Sequence, residues 1–374
     1  MKVDWLVVGA GFTGCVLAER IATQLDKKVL IVERRDHIGG NAYDYYDENG
    51  VLVHKYGPHI FHTNSQRVWE YLSQFTAWRR YEHRVLGVIQ DKKVPIPFNL
   101  NSLYALFPSR QADSLKERLI SQYGLNVKVP ILRLKEATDP DIRILAEYIY
   151  QNVFYGYTLK QWELKPEELD PSVTGRVPVH ISWDDRYFQD IYQAMPLEGY
   201  TPMFEGMLDH PNIEIRLKTD YRALLDEVRF DRMVYTGSID LFFDYLYGPL
   251  PYRSLRFEYV TLDQEWYQEV GTVNYPNNYA FTRITEQKHL TGQILPETTL
   301  VYEYPQAHRA GENEPYYPIP REQNRERHKL YLKEAEKLHG KVIFVGRLGD
   351  YKYYNMDQAV ARALQLFEGV IANL

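Results

Sequence analysis

A glycine turn between two short strands constrains the fold of this chain more than any other feature. The segment VDWLVV (residues 3–8) is typical of a buried parallel strand, and GAGFTG (residues 9–14) follows it directly. Residues 15–25 then predict a helix, and residues 28–32 predict a second strand that ends at Glu33. This order of elements is the unit that binds dinucleotides in Rossmann-like domains; a glycine-rich turn in an ordinary α/β domain is the alternative.

Each glycine of the turn has a physical role in such a unit. Gly9 permits the tight turn, Gly11 lets the backbone approach a pyrophosphate, and Gly14 lets the helix pack on the strand. The helix N-terminus, where Thr13 lies, offers N–H groups and a partial positive charge to the pyrophosphate. Glu33 follows about 20 residues later, where a carboxylate can accept hydrogen bonds from both ribose hydroxyls.

A second glycine turn indicates which dinucleotide is bound. After Glu33 the chain continues RRDHIGGNA (residues 34–42), and an acid followed shortly by two glycines is typical of the FAD-binding version of this unit. Paired glycines let the chain pass close to the flavin half of the cofactor. The sequence therefore predicts FAD, and a plain loop is the alternative for this segment.

Composition excludes several functions. The net charge is −6 and no long basic run occurs, so a nucleic-acid partner is not expected. Cys15 is the only cysteine, which excludes a disulfide framework and a C-x-x-C redox pair, and we expect it to be a small buried residue. No apolar run approaches the ~20 residues of a membrane span, no signal peptide precedes the first strand, and no metal-binding cluster occurs. We therefore expect a cytoplasmic protein.

Hydrophobic patterning predicts three domains in an α/β chain. Two hairpins are predicted at residues 43–56 and 81–97, and residues 57–63 are predicted to form a loop. Helical periodicity occurs near 101–107, 110–123 and 140–155, and strand-like runs near 252–262, 270–275, 279–286 and 298–304 predict an antiparallel sheet. A last strand at 342–346 and a closing helix at 355–371 return to the first sheet.

The predicted fold is thus a Rossmann-like FAD-binding domain with an inserted helical domain and an antiparallel β-sheet domain. The bounds are 1–80, 195–240 and 335–374 for the discontinuous FAD-binding domain, 100–168 for the helical domain, and 81–99, 169–194 and 241–334 for the sheet domain, with a mobile loop near 171–182.

Several unrelated segments, taken in order, resemble the UDP-galactopyranose mutase family. They are the turn at residues 9–14 with Glu33, HIGGNA (37–42), HKYGPHIFHT (54–63), GYTLKQW (156–162), YTGSID (235–240), FTRI (281–284), EYP (303–305), PYYP (315–318) and GRLGDYKYYNMD (346–357). The match covers essentially the whole chain, and several segments in the right order are far more specific than any one of them.

The resemblance implies a chemistry that the residues alone do not reveal. Members of this family bind FAD and interconvert UDP-galactopyranose and UDP-galactofuranose, an isomerisation with no net redox change. The reduced flavin is the implied nucleophile: its N5 displaces UDP from the anomeric carbon, the covalent adduct opens, and the sugar recloses as the five-membered ring before UDP returns. The resemblance also implies an external reductant such as NAD(P)H, and a homodimer.

For the substrate, the resemblance implies a set of arginine and aromatic side chains. Arg176 and Arg283 would hold the pyrophosphate, with Arg176 on a mobile loop that closes over the substrate. A solvated surface charge is the alternative for an arginine, and ordinary packing is the alternative for the aromatic residues. The other implied substrate residues are His83, Phe154, Tyr157, Trp162, Tyr187, Asn274, Tyr317 and Tyr353.

Within this set, Tyr157 and Trp162 are expected near the uridine and the sugar, and the remaining tyrosines are expected to donate hydroxyls to the diphosphate. Three places depart from the family pattern, and one of them is the C-terminal segment, at Gly349, Asp350 and Asn355. His83 stands where asparagine is common, and Val153 stands where an aromatic ring would stack on uracil. We expect Phe154 to reorient, or Val153 to make a weaker apolar contact.

For the cofactor, the resemblance extends the glycine turns to other segments. His59 and His62 are expected at the flavin face, where a neutral imidazole could polarise the ring, and they complete the implied catalytic set with Arg176 and Arg283. A structural role for His62 stays open. The implied cofactor residues are Gly9, Gly11, Thr13, Gly14, Glu33, Arg34, Gly40, Asn41, His59, Ile60, Arg347, Tyr354, Asn355, Met356, Asp357 and Gln358.

Two other interpretations remain. An FAD-dependent oxidase of the amine oxidase or protoporphyrinogen oxidase kind shares the acid and the paired glycines, but Trp162, Arg176 and Arg283 disfavour it. A flavin-binding regulator without turnover is the third interpretation.

Overall fold

The computed structural model describes residues 1–175 and 177–374, except for the side chains of Ser172 and Thr174, so the predicted ligand Arg176 lies outside the described residues. The strands are β1 (Lys2–Val8), β2 (Val29–Val32), β3 (Asp44–Tyr46), β4 (Leu52–His54), β5 (Phe61–Thr63), β6 (Trp78–Arg80), β7 (Val85–Ile89), β8 (Lys92–Ile96), β9 (Val127–Val129), β10 (Val179–Ile181), β11 (Tyr192–Pro196), β12 (Ile213–Arg216), β13 (Arg229–Tyr235), β14 (Tyr252–Leu262), β15 (Thr272–Asn274), β16 (Arg283–Glu286), β17 (Thr298–Ala307), β18 (Tyr317–Pro318) and β19 (Val342–Phe344).

The α-helices are fewer than these strands among the described residues. They are α1 (Phe12–Leu25), α2 (Gln66–Leu72), α3 (Leu100–Leu106), α4 (Ser109–Tyr123), α5 (Ile131–Lys135), α6 (Pro140–Ile149), α7 (Gly156–Trp162), α8 (Pro171–Thr174), α9 (Tyr200–Leu208), α10 (Ile239–Phe242), α11 (Gln287–Thr291), α12 (Glu322–Glu336), α13 (Gly346–Gly349) and α14 (Met356–Gly369). They form two compact units with the strands. Unit 1 comprises Met1–Tyr81, Asp190–Tyr252 and Gln323–Leu374, and unit 2 comprises Glu82–Gln189 and Arg253–Glu322.

Unit 1 is built on a parallel sheet in the order β12-β2-β1-β13-β19. The first two strands of the chain pair as the sequence predicts, with Leu6 opposite Leu30, and β1 also pairs with β13. Every residue of β2 is buried, because a parallel strand in the middle of a sheet is covered on both faces. Cys15 is buried in α1, as expected for a small apolar residue. The Rossmann-like unit predicted from the glycine turn is confirmed.

Unit 2 contains a larger sheet in the order β18-β14-β17-β16-β15-β7-β8. The strands predicted between residues 252 and 304 pair in antiparallel fashion in this sheet. Among the strand pairs given for this sheet by the described residues, only β15 and β7 run parallel. The helical segment of this unit has a hydrophobic core of its own, which includes Leu103, Leu115, Ile131, Ile142 and Leu145. That core supports a separate helical domain, but the three-domain division stays a prediction.

Two predictions of secondary structure were wrong in part. Residues 57–63 do not form a loop throughout, because residues 61–63 are strand β5 and pair with β11. The predicted helix at 140–155 is α-helical only as far as Ile149 and continues as a π-helical turn at Tyr150–Tyr155. Such turns often occur at functional sites. No helix in residues 1–175 or 177–374 is both long and apolar enough for a membrane crossing.

Candidate nucleotide and substrate sites

The two glycine turns of unit 1 pack directly on each other. Gly40 has a φ of 57°, and a Cβ placed on it would lie 2.8 Å from Cα of Gly11. A Cβ on Gly14 would lie 2.0 Å from the carbonyl oxygen of Gly9, so that position is closed to any side chain. For Gly11 itself the nearest atom would be an ordinary 3.8 Å away. Because packing does not demand a glycine at Gly11, the bare backbone there fits the close approach of a phosphate.

Glu33 ties the end of β2 to both turns. Its Oε2 accepts a hydrogen bond from the backbone N of Ala10 at 2.9 Å, and its Oε1 accepts one from the backbone N of Arg35 at 3.0 Å. The carboxylate is therefore fixed, and each oxygen retains a lone pair that can accept from a ribose hydroxyl. This geometry fits the nucleoside half of a dinucleotide.

The segment after Glu33 contains two arginines, and the structure gives them different surroundings. Arg34 is exposed, whereas Arg35 donates from Nη1 to Oδ1 of Asn41 at 3.0 Å and lies 4.4 Å from the ring centre of Tyr56. Arg35 and Asn41 thus close the second turn from one side. Sequence reasoning missed Arg35 because both arginines fit the pattern equally well.

The histidine loop is organised by His54, a buried residue that the sequence did not single out. Burial lowers the pKa of His54 to about 4, so its imidazole is neutral, and its Nδ1 accepts a hydrogen bond from the backbone N of His59 at 3.1 Å. His59 in turn lies 2.9 Å through Nδ1 from the carbonyl oxygen of Gly57. A carbonyl can only accept, so Nδ1 of His59 carries the proton and Nε2 of a neutral ring carries the lone pair.

Acid should unfold the wild-type protein more readily than a His54→Asn variant, whose amide oxygen can replace Nδ1 but does not titrate. An unfolded His54 binds a proton below its ordinary pKa of 6.5, whereas the folded one does so only near pH 4. The stabilisation is complete above pH 6.5 and is lost as the pH falls through that window, by up to about 3 kcal/mol. Urea unfolding across this window measures it, and parallel pH profiles for the two proteins would contradict the assignment.

His62 occupies a different environment from His59. It lies in β5, and its Nδ1 is 2.9 Å from Oδ2 of Asp190, to which it donates. Ile60, which was predicted with these histidines as a cofactor residue, is half-buried. The pairing with Asp190 favours a structural role for His62, the alternative that the sequence left open.

The C-terminal cofactor residues gather where α14 begins. Arg347 donates from Nη2 to the carbonyl oxygen of Tyr354 at 3.0 Å, and its guanidinium lies 5.7 Å from the ring centre of Tyr353. The backbone N of Asn355 donates to Oε1 of Gln358 at 3.0 Å, which caps the helix. Tyr353, predicted as a substrate residue, therefore lies among the cofactor residues of unit 1.

Asp357 in this helix provides a test of whether a ligand fits. Its Oδ2 accepts from the hydroxyl of Thr63 at 3.0 Å, whereas Oδ1 is buried and accepts no hydrogen bond from any residue in the described ranges. Met356 beside it is half-buried, and Thr13 of α1 is buried next to Gly346. An orphaned carboxylate oxygen is costly, and a donor on a bound cofactor would satisfy it.

In unit 2, a row of polar side chains crosses the large sheet. Asn274, Arg283 and Glu303 lie directly opposite one another on β15, β16 and β17, so they project from the same face. Arg283 donates from Nε and Nη2 to Oε2 of Glu303, at 2.8 and 2.7 Å. The Glu303 side chain is only 2% exposed, whereas that of Arg283 is 25% exposed. A ligand can therefore reach the guanidinium but not its carboxylate partner.

The charge of Arg283 is secured by its surroundings. Burial is the largest single influence on its pKa and lowers it, but the charge and hydrogen bond of Glu303 together with Tyr157 and Tyr317 outweigh burial and hold the pKa above its ordinary value. The phenolic groups of Tyr157 and Tyr317 also act electrostatically on Arg283. The ring centres of Tyr317 and Trp162 are 6.0 Å apart. The structure thus brings together the arginine, two phenols and an indole, as the sequence predicts.

Two other predicted substrate residues, Tyr187 and His83, contact each other. The backbone N of Tyr187 donates to the carbonyl oxygen of His83 at 2.7 Å, and their ring centres are 5.8 Å apart. Phe154 is buried in the core of the helical segment, and Val153 packs against that core. Stacking of either residue on a base stays a prediction.

The two clusters differ in what they can bind. A fixed guanidinium beside phenolic hydroxyls suits a diphosphate, and the indole and phenol rings suit a base or a sugar. The glycine turns and Glu33 suit a dinucleotide. In the part of the chain that the structure covers, no group of three or more histidine, cysteine or acidic side chains could hold a metal ion.

Two family models match the chain. Residues 152–353 match UDP-galactopyranose mutase, and residues 7–75 match the NAD(P)-binding Rossmann-like domain. The chain is 38% identical over 375 residues to a Klebsiella pneumoniae protein named "Probable UDP-galactopyranose mutase", which covers 99% of this chain and 95% of that protein. It is 32% identical over 376 residues to the dTDP-fucopyranose mutase of Escherichia coli, which covers 98% of each chain.

The fold has a counterpart among solved structures. A crystal structure of a reduced UDP-galactopyranose mutase matches with a TM-score of 0.70 at 15% identity, and the match covers 100% of this chain and 95% of that one. At this identity the likeness concerns the fold alone, and it agrees with the α/β architecture described above.

Proposed function

The chain belongs to the UDP-galactopyranose mutase family, and from that premise we propose that it is an isomerase that interconverts UDP-galactopyranose and UDP-galactofuranose. The observation that carries the proposal is the 38% identity, over 99% of this chain, to a relative of that name, combined with the Arg283 cluster. An arginine whose charge is secured beside two phenols and an indole is a recognition site for a nucleoside diphosphate. Such a site has no evident use in an amine or porphyrinogen oxidase.

Within this proposal, Arg283 binds the diphosphate and helps it to leave and return. Glu303 holds the guanidinium in one orientation, and Tyr157 and Tyr317 would offer hydroxyl donors to the diphosphate. Trp162, which is buried beside Tyr317, would line the site for the base or the sugar. Arg176, Asn274 and Tyr187 belong to the proposed substrate set through the family resemblance.

We further propose that the dinucleotide is FAD and that its reduced form is active. When bound, the reduced flavin would supply an electron-rich nitrogen as the nucleophile that this isomerisation needs. Glu33 would bind the ribose, Gly11 would admit the pyrophosphate, and Oδ1 of Asp357 would accept a hydrogen bond. His59 would present a lone pair on Nε2 when its ring is neutral. An external reductant such as NAD(P)H, a homodimer and a cytoplasmic location complete the proposal.

The test compares the protein before and after reduction. Purified protein, oxidised or treated with dithionite, is incubated with UDP-galactofuranose, and chromatography follows the appearance of UDP-galactopyranose. We expect a yellow protein that is active only when reduced. Equal activity in the oxidised state would contradict the requirement for reduced flavin, and a colourless protein that cannot be reconstituted would contradict the cofactor.

A second substrate belongs in the same experiment because one relative is a dTDP-fucopyranose mutase at 32% identity. Compared with the UDP-sugar, dTDP-fucopyranose lacks a sugar hydroxyl group and carries a methyl group on its base. Both nucleotide sugars would bind the same kind of site, so their rates can be compared directly. Faster conversion of dTDP-fucopyranose than of the UDP-sugar would reassign the substrate within the family. Oxygen consumption with an amine or a porphyrinogen, without sugar conversion, would instead support the oxidase.

A further inference from the structure

Helix α7, which carries Tyr157 and Trp162, is fastened to the turn between β15 and β16 by one lysine. Nζ of Lys160 donates to the carbonyl oxygens of Tyr275, Tyr279 (3.1 Å) and Phe281 (3.0 Å). An ammonium group has three donors, so these three carbonyls account for all of them. Burial lowers the pKa of Lys160 to about 8, which agrees with an amine enclosed by backbone rather than by solvent.

A second close contact supports this junction between α7 and the β15–β16 turn, which we call the joint. A Cβ on Gly156, the first residue of α7, would lie 2.6 Å from the carbonyl oxygen of Pro276 and 2.6 Å from Oδ1 of Asn277. Asn277 also donates from Nδ2 to the carbonyl oxygen of Asn152 at 2.9 Å. The helix and the turn are therefore in backbone contact, and neither can shift without the other.

The far end of α7 is held by a different cation. Arg253 is buried on β14 and donates from Nε to the carbonyl oxygen of Gln161 at 2.9 Å, and its Nη1 pairs with Glu163 at 2.8 Å. A helix of this short length gains little stability by itself, so its orientation depends on these contacts. Lys160 and Arg253 thus hold adjacent residues of the C-terminal half of α7, next to Trp162, whereas Asn277 and Pro276 contact its first residue.

The turn held by Lys160 leads directly into Arg283, the first residue of β16, and follows Asn274, the last residue of β15. We propose that Lys160 is a positioning residue: it sets the distance from Tyr157 and Trp162 to Arg283, so that one nucleoside diphosphate engages all three. The proposal rests on the UDP-sugar function proposed above. A lysine in this helix could instead bind the phosphates itself, but its donors are already directed at carbonyl oxygens.

Loss of the joint should weaken binding of UDP more than it weakens the fold. Lys160→Met keeps the aliphatic stem but removes every donor, so the helix can drift from the strand, and misplacement of binding groups by a fraction of an ångström is costly. We expect the dissociation constant of UDP, measured by calorimetry, to rise on the order of tenfold. Flavin content should not change, since Lys160 lies in the other unit from the glycine turns.

A matched control separates positioning from general destabilisation. Lys288 is fully buried in the same unit and donates from Nζ to the carbonyl oxygen of Leu295 at 2.5 Å, but it lies on α11, outside the substrate cluster. Lys288→Met should lower the urea midpoint and leave UDP affinity within about twofold of the wild type. Lys160→Arg, which keeps a charged donor, should recover part of the lost affinity.

The outcomes are distinct. Wild-type protein that binds no UDP would overturn the proposed function and this role with it. Wild-type binding together with unchanged affinity in Lys160→Met would overturn the positioning role alone, and so would an equal loss in Lys288→Met. Should Lys160→Met fail to fold, Asn277→Ala removes the second contact of the joint with less disturbance, and it should weaken UDP binding in the same direction.

Discussion

Replacement of Arg283 with alanine should lower turnover of UDP-galactofuranose about 100-fold or more. Two effects add in the same direction. The diphosphate loses the cation that stabilises it as it leaves and returns, and Glu303 keeps a buried negative charge with no guanidinium to neutralise it. Arg283→Lys should retain part of the activity, because it keeps the charge but cannot make the two-pronged contact. Rates of the dithionite-reduced protein, measured across substrate concentrations, give kcat and KM.

The contribution of the orphaned carboxylate can be measured separately. Arg283→Ala combined with Glu303→Gln removes the unpaired charge, so UDP should bind this double variant more tightly than it binds Arg283→Ala alone. The matched control is Arg256→Ala, since Arg256 lies on β14 of the same sheet, pairs with Glu258 and stacks 4.1 Å from the ring centre of Tyr304, at about half exposure. Near wild-type turnover in Arg283→Ala would remove this residue from the site.

The fold could be predicted where the signal is local. The glycine turn, α1 and β2 follow from spacing alone, because each glycine answers a steric demand of its own neighbours. Strand β5 could not be predicted in this way, since three residues are too few to show an alternating pattern. The same holds for the π-helical turn after Ile149, where helical periodicity continues although the hydrogen bonding changes.

In the candidate site, too, residues could be identified from their own segments, whereas their contacts with residues far away in sequence could not. Arg283 was found from its segment, but its partner Glu303 depends on the register of two antiparallel strands that are separated in sequence by α11 and a loop. The contacts of Arg35 and His54 depend on the direction in which each side chain leaves a loop or the end of a three-residue strand, and no pattern in the sequence encodes that direction. By its charge Lys160 could bind a phosphate, but in the fold its Nζ donates to backbone carbonyl oxygens. The kinds of side chain that a site needs follow from residue type, whereas the hydrogen-bond partner of each side chain depends on the fold.

Replacement of Gly40 with alanine should abolish flavin binding or weaken it at least about tenfold. The backbone at Gly40 has a φ of 57°, and a Cβ there would lie 2.8 Å from Cα of Gly11. The left-handed conformation alone costs about 1 kcal/mol for alanine, but the collision with backbone cannot be relieved by a side-chain rotation. The second turn must then move away from Gly11, at the place where the pyrophosphate is proposed to bind.

Gly50→Ala isolates the conformational cost from the collision. Gly50 also has a positive φ, of 77°, in the turn of the β3–β4 hairpin, and a Cβ placed on it would have no atom of the described ranges within 4 Å. Both variants adopt the unfavourable left-handed backbone, but only Gly40→Ala adds the collision with Gly11. The unfolding midpoint of Gly40→Ala should therefore fall further than that of Gly50→Ala, and only Gly40→Ala should lose visible flavin absorbance per polypeptide. Equal flavin content in the two variants would mean that the contact between the two glycine turns does not shape the cofactor site, and the paired glycines would then be a loop of no special consequence.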